Sequence, residues 1–181
     1  RYFGAWRPSR KVTYPEFAPV RTLTAPTDTT VVGKEAEQVM LGWKMDGAAS
    51  LQNDTLNVIT YMLNNGTAGL LDLDVNQPML CLGAGAGCID MRDYSQFVMV
   101  GQPNEGQTLE AVKDILLAEI NKLKRGDFSE KLLSSVKNNL KLNFLRSLDS
   151  NSSRANAFVQ TFVNGRPWQT EVEKFDRINA M

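Results

Sequence analysis

The sequence of 181 residues contains no histidine. That absence removes most zinc sites, the Ser-His and Cys-His hydrolases, and the many acid–base enzymes that work through an imidazole. Carboxylate-only and lysine chemistry survive it. Neither sign of charge is in excess: 20 Lys+Arg stand against 20 Asp+Glu. The balance argues against nucleic acid or an anionic membrane as a partner. No apolar run approaches the roughly 18 residues of a membrane span. Only two cysteines occur, Cys81 and Cys88. On one extended strand they would stand about 23 Å apart and on opposite faces, at about 3.3 Å per residue. A disulfide bridges about 7 Å, so both are expected as buried free thiols. An initiator Met is missing too. The chain opens on Arg1 with an aromatic run, Tyr2, Phe3 and Trp6, and stops at Met181 within a helical pattern. Both ends are expected to be cuts in a longer polypeptide.

What is present suits a globular domain: 43% hydrophobic and 22% charged residues. Pro8, Pro15, Pro19 and Pro26 make residues 1–27 an extended linker, with 28–181 forming one folded unit. Val39, Leu41, Trp43 and Met45 alternate with Met40, Gly42, Lys44 and Asp46, the pattern of a strand with one apolar face. Trp43 is expected on the inward face of a central strand. A helix over about 50–64 places Thr55, Val58, Ile59, Met62 and Leu63 on one face and ends near Gly66. Residues 67–74 suggest a short helix. Residues 79–89 and 94–101 read as a hairpin around Asp90–Asp93. The remainder is helical. Stripes run through Leu109–Leu123, through Leu133–Phe144 behind a Ser129 cap, through Ala155–Val163, and through Trp168, Val172, Phe175 and Ile178. Strands first and helices later predict an α+β fold, a mainly antiparallel sheet with helices packed on one face.

Gly83, Gly85 and Gly87 alternate in LGAGAGC. No helix starts there, so the run is not a phosphate-binding loop. On a strand the three share one face with Met79 and Cys81, leaving Leu80, Leu82, Ala84, Ala86 and Cys88 on the other. Such a bare face serves close internal packing or the approach of another main chain. Asp72 and Asp74 read as solvated helix-end carboxylates, Asp90 and Asp93 as turn residues beside Arg92. Lys122, Lys124 and Arg125 read as a basic helix end. None of these builds a catalytic set.

The order of four phrases carries a resemblance: EAEQVMLGWKM (35–45), NNGTAGLLDLDVNQ (64–77), DYSQFVMVGQPNEGQTLEAVKDILLAEINKLKRGDF (93–128) and LDSNSSRANAFVQTFVNGRPW (148–168). With them the chain resembles the second, non-catalytic domain of insulinase/pitrilysin-type zinc metallopeptidases, in their long bacterial single-chain form. The opening RYFGAWRP looks like the tail of a preceding domain. The resemblance implies a unit of the mitochondrial-processing-peptidase type. It implies a parent whose first domain holds zinc on an H-x-x-E-H motif, and no cofactor in this chain. The Arg and Tyr that some family domains use to hold substrate have no counterpart in residues 66–88. Two functions follow. One is a wall of a peptide-degrading chamber, with Gly83, Gly85, Gly87, Gly42 and Lys44 on the substrate side. The other is a binding or structural subunit with no peptidase partner. Expected partners are the other domains of the same polypeptide, chiefly the zinc-bearing first, and peptide substrates. The expected compartment of the parent is the periplasm.

Overall fold

The computed structural model describes residues 15–181 and, ahead of them, 4, 5, 7 and 13. Tyr2, Phe3, Trp6 and Pro8 lie outside the described residues. Residues 15–38 form no helix or strand and are almost wholly exposed, as prolines 15, 19 and 26 dictate.

Three strands follow: β1 (Val39–Asp46), β2 (Gly83–Asp90) and β3 (Tyr94–Gln102). They pair antiparallel in the order β1-β3-β2. The central strand is therefore β3, and β1 is an edge. This corrects the expectation for Trp43, whose inward side was foreseen correctly. Its ring lies 5.5 Å from that of Phe97, its cross-strand partner.

Six helices among the described residues complete the chain: α1 (Gln52–Leu63), α2 (Leu109–Arg125), α3 (Glu130–Ser147), α4 (Asn151–Val163), α5 (Trp168–Val172) and α6 (Lys174–Asn179). Side-chain hydroxyls of Thr108, Ser129 and Ser150 cap α2, α3 and α4 by accepting from main-chain N–H groups. Gly126, at φ +69°, closes α2 in the left-handed conformation. The inward sheet face packs under α1 and α2 around Leu63, Leu71, Val75, Phe97, Met99, Val112 and Leu116. A smaller core joins α1, α3 and α6 through Val58, Met62, Val136 and Ile178.

The structure departs from these expectations in five places. The short helix expected at 67–74 is a π-helical turn at Asp72–Asn76. Asp72 is buried rather than solvated, because its carboxylate accepts from the N–H groups of Asn65, Thr67 and Gly69 at 2.9, 3.2 and 3.0 Å. The strand expected from Met79 begins only at Gly83. After Pro78, Met79 takes φ +56°, and the bend breaks the two-residue phase. Cys81 is buried in the core while Leu80 and Leu82 face solvent. In α1, Leu56 is buried where Thr55 was expected. The single helix expected near the end is the pair α5 and α6.

Candidate functional site

Among the described residues, the face of the sheet away from α1 and α2 carries no helix. Strand register writes its floor row by row. Met40 of β1, Val100 of β3 and Gly85 of β2 stand side by side, followed by Gly42, Val98 and Gly87, then Lys44, Gln96 and Ile89. Gly83 sits beside Gln102 at the end of β2. The alternation foreseen in β1 and in the glycine run therefore places Gly42, Lys44, Gly83, Gly85 and Gly87 on one side. Val98 projects between two bare positions.

Whether internal packing demands those glycines is a geometric question. A Cβ at Gly42 would meet nothing within 4 Å. At Gly83, Gly85 and Gly87 its nearest neighbours would be Gln102 Oε1 at 4.0 Å, Asn64 Oδ1 at 3.5 Å and Val98 Cγ2 at 3.8 Å, all ordinary contacts. Close packing does not require them. The contrast is Gly101 on the opposite face, where a Cβ would run into Val112 and come within 3.2 Å of Leu116. That glycine lets α2 settle onto β3. The sequence reading missed it, because it falls in a strand pattern whose helix partner is not visible from the strand alone.

The outer edge of β2 is partly dressed. Asn76, from the π turn, accepts from the Ala84 N–H at 2.8 Å and donates to the Ala84 carbonyl at 2.9 Å, as a neighbouring strand would. By the two-residue period of strand hydrogen bonding, the main-chain groups of Ala86 and Cys88 point to the same edge. Lys44 is not idle on its face. Its Nζ donates to the Val20 carbonyl at 2.6 Å and lies 3.4 Å from Thr22 Oγ1, so the proline-bearing lead-in passes beside the β1 side of the floor.

Titratable groups near the site are few. Cys88, half-buried on the inward face of β2, donates to Asp90 Oδ1 at 3.2 Å. Burial first, then the hydrogen bond and charge of Asp90, push its thiol up to about 12. Burial also raises Cys81. Both cysteines are free. Asp74, expected in solvent, pairs with Lys122 at 2.8 Å, and Lys122 also reaches Glu119 at 2.8 Å. Those two carboxylates, Asp74 foremost, raise the lysine. The cluster lies between the π turn and α2, on the helix side of the sheet. Among the described residues no three His, Cys, Asp or Glu side chains gather as a metal site.

Comparisons with known proteins show the family and the fold. The family described as the peptidase M16 inactive domain matches residues 1–140. The zinc protease PqqE of Helicobacter pylori is 27% identical over 139 residues, covering 75% of this chain and 31% of that protein. The solved structure of a protease from Helicobacter pylori superimposes with a TM-score of 0.72 at 24% identity, over 78% of this chain and 34% of the other. The inactive peptidase domain of a candidate zinc protease from Bordetella parapertussis gives 0.67 at 15% identity, over 83% and 82%. The chain spans about a third of the length of its Helicobacter relatives. The two superpositions carry the fold.

Proposed function

The chain belongs to the peptidase M16 inactive-domain family, and from that premise we propose that it is a non-catalytic wall of the substrate chamber in a zinc-dependent metallopeptidase. The zinc lies in another domain of the same polypeptide, which residues 1–27 help to join to the unit 28–181. The observation that carries this reading is the sheet face floored by Gly42, Val98, Gly83, Gly85 and Gly87. Among the described residues no helix covers it, and an added Cβ would meet no tight contact at its glycines. An extended peptide can lie close to such a floor whatever its side chains. The outer main-chain groups of Ala86 and Cys88 offer it strand-like hydrogen bonds. Recognition through main chain suits an enzyme that accepts many sequences. The name zinc protease on a relative supports a metal in the parent, and the lack of histidine here puts that metal elsewhere.

The test is Gly85→Phe, with Gly42→Phe beside it, in the full-length parent. Filling the floor is expected to lower kcat/KM for extended peptides several-fold. Zinc content should not change, and the melting temperature should stay within about 2 °C of wild type, since surface changes away from packed groups are small. Unchanged turnover with intact melting would defeat the chamber reading and leave the chain a structural or binding unit of the same fold.

A further inference from the structure

Helix α4 is built inside out. Its inward side is Ser153, Ala157, Thr161 and Asn164, small or polar, with Thr161 Oγ1 donating to the Ala157 carbonyl at 2.7 Å. Its large apolar residues Phe158, Val159, Phe162 and Val163 all face solvent, Phe162 at 86% exposure. The patch continues onto α5 through Trp168, whose ring lies 4.1 Å from that of Phe158, and through Val172. Residues 155–165 carry no charge. The sequence periodicity foresaw the helix and its apolar stripe, but the fold turns that stripe outward. A helix of 13 residues is marginal in water by itself. In most surface helices the apolar stripe supplies the stabilisation, and here it is unused. A contiguous apolar patch of this kind marks a contact surface.

We propose that the apolar face of α4 and α5 is the surface on which another part of the same polypeptide docks, through an apolar helix face of its own. Three observations choose that occupant. The patch has no charge with which to select a foreign partner, and it has the i, i+1, i+4, i+5 spacing that fits the ridges of a second helix. The Helicobacter relatives are more than twice as long as this chain, so covering material exists within proteins of this family. A tethered partner acts at an effective concentration on the order of millimolar, which a free second copy does not reach. None of these residues belongs to the glycine floor, so the inference stands or falls independently of the chamber reading.

The experiment compares hydrogen exchange of residues 156–163 in the 181-residue chain and in its full-length parent, each at two protein concentrations. The expected result is exchange at least about tenfold slower in the parent at both concentrations, the mark of a covered element. Phe162→Glu is expected to leave the melting temperature of the 181-residue chain unchanged and to lower that of the parent. Equal exchange in the two proteins would overturn the proposal. So would protection in the 181-residue chain that grows with concentration alongside dimer formation, because the occupant would then be a second copy. Should the variant parent fail to fold, the wild-type comparison decides alone.

Discussion

Two glycines in the same sheet separate packing from openness. At Gly101 the added methyl of alanine has no room beneath Val112 and Leu116. Gly101→Ala is therefore expected to cost about 1–3 kcal/mol, the range for overpacking a filled core. Gly42→Ala, on the bare face, should shift stability by no more than about 0.5 kcal/mol. Denaturant midpoints of the two variants check this. Cysteine reactivity gives a second test at this scale. The Cys88 thiol is raised to about 12 by burial and by Asp90. Because the thiolate is the reacting form, alkylation of the folded chain should stay slow at pH 8 and climb through pH 10–11. The sign for stability follows from the same shift: the neutral thiol is favoured in the fold. As pH rises past the ordinary cysteine value near 8.5, ionisation of the unfolded chain begins to draw stability away, up to the folded value. Asp90→Asn should speed alkylation by bringing the thiol back down. Rapid modification of Cys88 at pH 8 in the wild type would contradict the assignment.

Asp54 joins elements that the chain keeps far apart. It sits fully buried in the first turn of α1 and accepts from Arg177 of α6 at 2.7 and 3.0 Å. Arg166, before α5, lies 3.4 Å away. Removing it leaves the nearly buried Arg166 facing only Glu171, at 3.7 Å. Asp54→Ala is expected to lower stability by about 3–5 kcal/mol, as for breaking one side of a buried pair. Thermal or urea unfolding measures it. A loss below about 1 kcal/mol would show that α5 and α6 are not held this way. Elements whose reason is local were legible in the sequence. The alternation of Val39–Met45 fixed both the strand and its inward side, and Ser129 announced its helix. Elements set by distant partners were not. Arg166 and Arg177 lie 112 and 123 residues from Asp54. The buried role of Asp72 was hidden for another reason: its donors are near in sequence, but only the folded loop gathers their N–H groups. Helix α4 showed its apolar stripe plainly, but periodicity does not say which side of a helix the chain folds against.

At the scale of the whole molecule, the sheet divides the chain into two surfaces of different make-up. The inner surface carries Phe97, Met99 and the glycine that admits α2. The outer surface carries glycines, Lys44 and Gln96 in register with the apolar Met40, Val98, Val100 and Ile89, and the lead-in is held beside it by Lys44. From Gly83 to Gly87 the glycine run showed in the sequence which residues share the outer side, while Cys81, expected with them, turns into the core. It did not show that Lys44 would be engaged by Val20, because the linker has no periodicity to place it. The central claim is that an extended peptide lies on this outer surface along β2. Hydrogen exchange of the full-length parent, with and without an uncleavable extended peptide, tests it most directly. The account predicts that the segment 83–90, with the outward amides of Ala86 and Cys88, exchanges more slowly when the peptide is present, while α2 and α3 are unaltered. Tight peptide binding with no change in 83–90, or with protection confined to the helical side, would contradict it.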